Sequence, residues 1–182
     1  GSRQFDQRLV WVDRQGKIEP IAAPTRAYAY GDAAALSPDG QQIVVSIHSG
    51  TEELWIYDLA RGSLTRLTSE QGSSISPVWT PDGRRVVYRS NRGGNWNLYW
   101  RAVDGSGSEE RLTTSETLQT PQSWSPDGKV LAFSEIAGGS RDILTLALEG
   151  ERKPTVFLQT RFEENNPQFS PDGHWMAYTS DE

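Results

Sequence analysis

Four aspartates recur in one short motif, and they are the first candidates for chemistry. The motif is a hydroxyl residue followed by Pro-Asp-Gly, and its aspartates are Asp39, Asp82, Asp127 and Asp172. Arranged around a common axis, the four carboxylates would form a ring of negative charge. A local role is favoured instead, because Asp at this position of a turn accepts hydrogen bonds from nearby backbone. The aspartates are therefore predicted to be structural.

The histidines and serines give little support for catalysis. His174 directly follows one copy of the motif and is predicted to be a solvated turn residue. His48 lies in a predicted loop and has no partner His or Cys for a zinc site. The segment Gly105–Ser108 lacks the Gly-x-Ser-x-Gly spacing of a nucleophile elbow, and neither a phosphate-binding nor a calcium-binding loop occurs. We predict no catalytic residue, no metal site and no cofactor.

Composition limits the possible partners of the chain. A formal net charge of −6 argues against a nucleic-acid surface. The basic residues concentrate in one cluster, Arg84, Arg85, Arg89 and Arg92, which is predicted to be a solvated strand edge. No apolar run approaches the ~20 residues of a membrane span, so no membrane insertion is predicted within this chain. There is no cysteine, which excludes disulfides and leaves the compartment open.

The same motif organises the elements that would position any site. Its four prolines are separated by 43, 45 and 45 residues. A period of ~40–45 residues is typical of a four-stranded β-propeller blade. Each copy is predicted to form a type I turn that ends on a glycine with positive φ. The predicted turn residues are Pro38, Asp39, Gly40, Pro81, Asp82, Gly83, Pro126, Asp127, Gly128, Pro171, Asp172 and Gly173.

We therefore predict an all-β fold, a β-propeller of four-stranded antiparallel blades with essentially no α-helix. The strand after each turn is apolar at successive positions, as in Val86–Tyr88, which is typical of strands buried on both faces. The predicted single domain, 1–182, contains four blade equivalents, three whole and two complementary halves. They are a half blade at 5–22, blades at 33–69, 76–114 and 121–159, and a half blade at 166–182.

The two halves leave three arrangements open. The first half contains strands three and four of a unit, and the last half contains strands one and two. One chain could close alone as a four-bladed ring, two chains could pair into an eight-bladed ring, or the chain could be a fragment of a longer propeller. We favour the homodimer as a hypothesis, because closure protects edge strands that would otherwise be exposed.

The repeats resemble the Pro-Asp variant of WD-like propeller repeats found in the TolB-like family. The shared pattern is seen in Pro77–Gly83, followed later by Asn97-Leu98-Tyr99. The segment Leu9–Gly16, followed by Ala27–Tyr30 and the first turn motif, is similar to propeller domains attached to bacterial serine/threonine receptor kinases. The resemblance implies a bacterial repeat protein, an extracytoplasmic or periplasmic location, and a kinase-associated sensor domain.

Any ligand site is predicted on one face of the propeller. Loops that join strand four to strand one, and strand two to strand three, meet there around the channel. Mixed aromatic, amide and charged side chains on such loops are typical of a recognition surface. The candidate ligand-binding residues are Tyr30, Asp32, Ser74, Arg92, Trp96, Gln119, Arg161, Glu164 and Asn165.

Two functions fit these observations. The first is a non-catalytic binding or scaffolding module, which recognises a protein or peptide ligand as a sensor or recognition domain of a larger bacterial protein. The alternative is the accessory propeller of a prolyl-oligopeptidase-like hydrolase whose catalytic domain lies outside these residues. Both predict that this chain is not itself an enzyme.

Overall fold

The computed structural model describes residues 7–29, 34–68 and 71–182. All regular structure in these ranges is β, with sixteen strands and no helix. The prediction of an all-β fold is confirmed. Within the same ranges, no helix is long and apolar enough to cross a bilayer.

Three four-stranded antiparallel sheets lie between two short, two-stranded sheets. The first two-stranded sheet pairs β1 (Val10–Val12) with β2 (Ile18–Pro20). The first four-stranded sheet contains β3 (Ala34–Leu36), β4 (Gln42–His48), β5 (Glu52–Asp58) and β6 (Ser63–Arg66). The second contains β7 (Ser74–Trp79), β8 (Arg85–Ser90), β9 (Asn97–Ala102) and β10 (Glu110–Arg111). The third contains β11 (Leu118–Trp124), β12 (Val130–Ala137), β13 (Ser140–Ala147) and β14 (Pro154–Leu158). The last sheet pairs β15 (Glu164–Phe169) with β16 (Met176–Ser180). Each strand pairs with its neighbours in sequence, so every sheet is an antiparallel meander.

The four turn motifs each join the first two strands of a sheet. In the copy between β11 and β12, the Gly128 N–H donates to the Ser125 carbonyl at 2.8 Å, and the glycine has a φ of 72°. The Ser125 hydroxyl donates to Asp127 Oδ1 at 2.6 Å, and the same oxygen accepts the Lys129 N–H at 3.1 Å. These contacts satisfy the turn locally and account for each residue type in the motif.

Successive turns also contact one another. A Cβ atom placed on Gly128 would lie 3.6 Å from Pro81 of the preceding turn, and one on Gly173 would lie 3.3 Å from Pro126. Gly83 faces Pro38 in the same way, at 3.8 Å. Each of these glycines therefore lies against the proline of the turn before it, and at Gly173 a Cβ atom would be tight.

The hydrophobic core lies between the sheets. Val86, Val87 and Tyr88 on β8 are fully buried, as expected for a strand packed on both faces. One buried cluster joins the first and second four-stranded sheets, and another joins the second and third. Side chains of β4, β5, β8, β9, β12 and β13 supply most of both clusters.

The arginine cluster is only in part the solvated strand edge that the sequence predicted, because Arg84 and Arg85 are exposed whereas Arg89 and Arg92 are half-buried. The Arg85 guanidinium lies 4.2 Å from the centre of the Trp100 ring. Arg89 donates to the Thr120 hydroxyl at 3.0 Å, and Arg92 forms an ion pair with Glu109. The prediction fails for Arg89 and Arg92 because polar groups and rings of neighbouring strands lie within reach of these long side chains.

The two-stranded sheet at the beginning corresponds to the outer half of a unit. The Ile21 N–H donates to the Leu9 carbonyl at 3.0 Å. The Leu112 N–H makes the same bond to the Leu98 carbonyl, at 2.8 Å, between β10 and β9. By this correspondence β1 and β2 occupy the places of strands three and four.

The two-stranded sheet at the end corresponds to the inner half of a unit. The Ser170 N–H donates to the Trp175 carbonyl at 2.9 Å, as the Ser125 N–H does to the Val130 carbonyl at 2.8 Å. β15 and β16 therefore occupy the places of strands one and two. Among the described residues no ladder joins β16 to β1, so the structure shows the two halves unpaired.

Candidate ligand-binding cleft and loop face

The first strands of four successive sheets meet around one cleft. These strands, β3, β7, β11 and β15, are called the inner strands below. Each is the edge of its own sheet and pairs only with the second strand of that sheet. The inner-strand cleft has a volume of about 440 Å³. It is therefore bordered by strand edges, and two of their carbonyls, those of Ala35 and Pro167, already accept bonds from the Trp79 indole at 2.9 Å and the Ser123 hydroxyl at 2.8 Å. Outward backbone groups without such a bond could pair with another chain.

Uncharged side chains line the inner-strand cleft. Alanine, leucine and proline dominate on the β3 and β7 side, where Ala35 and Pro77 are examples. Amides dominate on the β11 and β15 side, where Gln122, Asn166 and Gln168 lie. Recognition in the cleft would consequently depend on hydrogen bonds and shape, with little contribution from charge.

A β-bulge interrupts three of the inner strands at the same place. The ladder register shifts within residues 75–78, 121–123 and 165–168. At two of these bulges a non-glycine residue adopts a left-handed backbone, with a φ of 54° at Ser76 and 56° at Asn166. Such residues cost about 1–3 kcal/mol each and cluster at functional sites. Both residues line the cleft, so the bulges direct polar groups into it.

Gln122 is the polar centre of the cleft. Its Nε2 donates to Asn165 Oδ1 at 2.8 Å and to the Ser134 hydroxyl at 3.2 Å. Its Oε1 is buried and has no hydrogen-bond partner within the described residues. A buried acceptor without a donor costs about 1–3 kcal/mol. Because the oxygen is buried, a ligand in the cleft could donate to it and remove that cost only after the Gln122 side chain turns towards the cleft.

Three of the predicted ligand-binding residues do not face solvent, and that expectation is corrected here. Ser74, Gln119 and Glu164 are only 2%, 1% and 1% exposed. They occupy equivalent places at the start of β7, β11 and β15, where adjacent sheets pack together. Ser74 donates to the Ser90 hydroxyl at 3.2 Å, for example. In the described structure these three side chains are buried among internal contacts.

Two of the predicted residues do lie on the loop face. Trp96 is half-buried, and the Arg89 guanidinium lies 5.3 Å from its ring centre. Arg161 is exposed and lies 4.7 Å from the centre of the Phe162 ring. Both pairs present a cation next to an aromatic ring, an arrangement that suits a recognition surface.

Two of the remaining predicted residues make internal contacts, and the other two lie outside the described residues. The Arg92 side chain is held by Glu109, and the Asn165 amide is turned towards Gln122. Tyr30 and Asp32 lie outside the described residues. The structure thus gathers only part of the predicted set, and Asn165 connects the loop face with the cleft.

Sequence reasoning missed the amides of the cleft itself. Asn166 and Ser76 both stand five residues before the proline of a turn motif, and Gln122 stands four before it. Aligning the repeats on that proline would have collected these positions. The burial of Gln122 Oε1 has no counterpart in the sequence pattern.

A second cluster contains the residue types of a hydrolase but not their arrangement. The Ser73 hydroxyl donates to Glu52 Oε2 at 2.6 Å, which holds the pKa of Glu52 below its ordinary value. His48 Nδ1 lies 3.3 Å from the other oxygen of Glu52. In a catalytic triad the histidine lies between the nucleophile and the acid. Here the carboxylate is in the middle, so His48 does not accept the Ser73 proton.

The fold, the turn motifs and the period together define a propeller repeat protein. Residues 7–182 match the family model described as the TolB beta propeller domain. The chain belongs to that family.

Comparison with known proteins gives partial matches. The Tol-Pal system protein TolB of Anaeromyxobacter dehalogenans is 31% identical over 101 residues, which are 55% of this chain and 23% of that protein. Dipeptidyl-peptidase 5 of Porphyromonas gingivalis is 31% identical over 71 residues, which are 35% of this chain and 10% of that protein. The crystal structure of TolB from Acinetobacter baumannii superposes with a TM-score of 0.78 at 19% identity, covering 94% of this chain and 42% of that one. The chain thus spans less than half of each of these relatives, and the last likeness shows the fold.

Proposed function

We propose that this chain is a non-catalytic recognition module that binds an extended peptide or protein segment at the inner-strand cleft and the adjoining loop face. The observation on which this rests most is the buried, unpartnered Gln122 Oε1 in an uncharged cleft. The volume of the cleft lies within the ~300–1,000 Å³ of ordinary ligand sites. The arrangement of Ser73, Glu52 and His48 supports a role without turnover.

A peptide is favoured because of the strand edges around the cleft. An extended backbone alternates donors and acceptors at the spacing that an unpaired strand edge presents. Left-handed bulges at Ser76 and Asn166 interrupt two of these edges, which limits continuous strand addition to short segments. A short, uncharged peptide segment with a donor for Gln122 fits these constraints best.

The test uses a displayed library of random linear peptides selected on the purified chain. Affinities of the selected peptides are then measured by calorimetry for the wild type and Gln122→Leu. Loss of one buried hydrogen bond, about 1–3 kcal/mol, predicts roughly tenfold or greater weakening. Gln41→Leu replaces an exposed glutamine that does not line the cleft, so it is the matched control and leaves affinity unchanged.

A combined variant, Arg92→Ala with Trp96→Ala and Arg161→Ala, separates the loop face from the cleft. Weakened binding places the ligand on both surfaces, whereas unchanged affinity removes the loop face from the site. Selected peptides that bind Gln122→Leu as tightly as the wild type would contradict the proposal.

The parent protein is proposed to be an extracytoplasmic bacterial protein in which this module acts as a sensor. The resemblance of Leu9–Gly16 to propeller domains attached to bacterial receptor kinases supports that proposal. The match to a dipeptidyl-peptidase favours a second candidate, an accessory propeller of a hydrolase. The reading frame around this chain distinguishes them. A kinase domain upstream supports the sensor, and a Gly-x-Ser-x-Gly hydrolase domain downstream supports the alternative.

Blade organisation is a further part of the proposal. Each four-stranded sheet is taken as one blade with the boundaries predicted above, and the two halves as parts of a composite blade shared by two chains. Within the whole sheets, strand two faces strand three with Val87 opposite Trp100 and Ala132 opposite Thr145. The same register places Ala177 of one chain opposite Trp11 of the other.

Engineered disulfides test this register, because the chain has no native cysteine. In the variant with both Trp11→Cys and Ala177→Cys, mild oxidation is expected to give a covalent dimer on non-reducing gels. The pair Val12→Cys with Ala177→Cys, one residue out of register, is the control. A cross-linked monomer would instead support a four-bladed ring, and absence of any cross-link would support membership of a longer propeller; either result refutes the homodimer.

A further inference from the structure

A second cavity lies beside the first four-stranded sheet and shares no lining residue with the inner-strand cleft. Its volume is about 400 Å³, within the ~300–1,000 Å³ of ordinary small-molecule sites. It is lined by the segment 25–27, by the end of β4 with the following Ser49, and by one residue each of β5 and β6. It is called the Trp55 cavity below, after the aromatic side chain that β5 contributes.

The part of the wall formed by the sheet is largely apolar. Ile47 is buried, whereas Trp55 and Leu64 are half-buried and leave part of their side chains uncovered. Trp55 Nε1 is buried and has no hydrogen-bond partner within the described residues. No hydrogen bond is therefore lost if the ring turns to stack on a ligand.

The charged side chains that line the Trp55 cavity are both cationic types. Arg26 is exposed, and within residues 7–29, 34–68 and 71–182 it forms no ion pair. His48 Nδ1, in contrast, lies 3.3 Å from a Glu52 oxygen. No carboxylate of the described residues lines the cavity, although the whole chain has a net charge of −6. An anionic group in the cavity would therefore find its partner in Arg26.

The second four-stranded sheet has equivalent positions that can be compared with this cavity. The ring of β5 and that of β9 each pair with the residue seven places after a motif proline. The loop positions stand eleven places after that proline, and the positions near the outer strand stand three before Leu67 and Leu112. The equivalent pairs are Trp55 with Tyr99, Ser49 with Arg92, and Leu64 with Glu109.

In the second sheet this place is closed by the chain itself. Arg92 forms an ion pair with Glu109, and its guanidinium lies 5.7 Å from the centre of the Tyr99 ring. The serine and leucine of the first sheet cannot form that ion pair, so the Trp55 ring borders a cavity instead. The fold thus accepts a group next to the aromatic ring, and in the first sheet that group would come from outside the chain.

We propose that the Trp55 cavity binds a small organic acid. Its apolar body packs on Trp55 and Leu64, and its carboxylate pairs with Arg26. Because leucine replaces the glutamate of the next unit, the wall beside the ring favours an apolar body over a second charged group. Hydrogen bonds from a guanidinium to a carboxylate are strong and fix the orientation of the bound acid. The inference goes beyond peptide recognition at the inner-strand cleft and does not depend on it.

NMR titration of the isotope-labelled chain with phenylacetate, indoleacetate and octanoate tests the proposal, and the amide of each acid is the neutral comparison. The indole N–H signal of Trp55, assigned with Trp55→Phe, is expected to shift on addition of the acids. Each acid should bind at least about tenfold more tightly than its amide. Arg26→Gln should abolish this preference by weakening binding of the acids alone.

The variant with both Ser49→Arg and Leu64→Glu introduces the ion pair of the second sheet and should abolish binding of acids and amides alike. Should it not fold, Ser49→Trp fills the cavity with an uncharged side chain and provides the same comparison. Arg61→Gln removes an exposed arginine that does not line the cavity, so it is the matched control and should bind as the wild type does. The proposal is overturned if no acid moves the Trp55 signal, if acids and amides bind equally, or if Arg26→Gln binds the acids as tightly as the wild type.

Discussion

The middle sheets and the two-stranded sheets at the ends contain equivalent residues in opposite environments. Phe133 on β12 is fully buried, whereas Tyr178, 45 residues later on β16, is 44% exposed. Trp100 on β9 is 5% exposed, whereas the corresponding Trp11 on β1 is 43% exposed. The end sheets lack two strands of a whole unit as well as a neighbouring sheet on one side. Burial in this fold is therefore supplied by neighbouring strands and sheets and not by the strand itself.

The exposed apolar residues follow the same division. Within the described ranges the large exposed hydrophobic side chains lie on the first three strands, on the last three, or next to them. They are Val10, Trp11, Val12, Ile18, Leu36, Val156, Phe157, Trp175 and Tyr178. Exposed apolar side chains concentrated at the two ends in this way indicate places where another element packs. The middle sheets show what such packing looks like when it is complete.

The largest expected contrast is between two aromatic truncations. Phe133→Ala should lower the free energy of unfolding by about 3–5 kcal/mol, because it opens a cavity between packed sheets. Tyr178→Ala should lower it by less than about 1 kcal/mol in the isolated monomer, since much of its side chain is already in water. Urea unfolding followed by tryptophan fluorescence measures both values.

Measuring the same two variants at several protein concentrations tests whether a second chain covers Tyr178. If two chains share a composite blade, Tyr178→Ala becomes more destabilising as protein concentration rises, while Phe133→Ala keeps the same effect. Equal losses for the two variants at low concentration would show that β15 and β16 are already covered, which contradicts the structure.

A smaller loss of stability is expected on replacing the turn glycines. It should be similar at Gly128, in a middle sheet, and at Gly173, in the two-stranded sheet at the end. Gly128 and Gly173 have φ values of 72° and 74°, and each faces a proline of the preceding turn. Replacement of either by Ala should cost about 1–2 kcal/mol through left-handed backbone strain. Chemical denaturation of the single variants provides the measurement. Asn at these positions tolerates the left-handed region better and should cost less than Ala.

The smallest effect concerns protonation of the turn aspartates. Hydrogen bonds from Ser125 and Ser170 lower the pKa of Asp127 and Asp172, one in a middle sheet and one at the end. The pKa of each aspartate is lower in the folded state than in the unfolded state, so its ionised form stabilises the fold. That stabilisation is fully present above the ordinary Asp pKa of ~3.9 and is lost as the pH falls through the lower pKa of the folded state. Carboxyl-carbon NMR titration should find both pKa values depressed alike. A normal value at Asp172 alone would mean that the turn depends on the neighbouring sheet.

Local chemistry made much of the fold predictable from sequence. Pro-Asp-Gly specifies a turn through bonds within a few residues, and the apolar runs such as Val86–Tyr88 specify strands buried on two faces. These features depend on neighbours in sequence, so they are visible without coordinates. The glycine pair Gly138-Gly139 belongs to the same class, with φ values of 63° and 94° in the hairpin between β12 and β13.

The candidate site was less predictable because it depends on contacts between sheets. Ser74, Gln119 and Glu164 are polar and near loops, which suggested exposure, yet packing of successive sheets buries them. The left-handed bulge at Asn166 and the unpartnered oxygen of Gln122 arise from how the inner strands approach one another. Pairwise geometry of this kind has no local pattern in the sequence.

The contact between successive turn motifs has a consequence for how such a chain can change over generations. From the second turn motif on, each motif has a glycine that lies against the proline of the motif before it. Gene duplication or deletion of one complete unit would therefore join compatible surfaces without any compensating substitution. Gain or loss of part of a unit would not, so the size of the assembly can be expected to vary in whole steps.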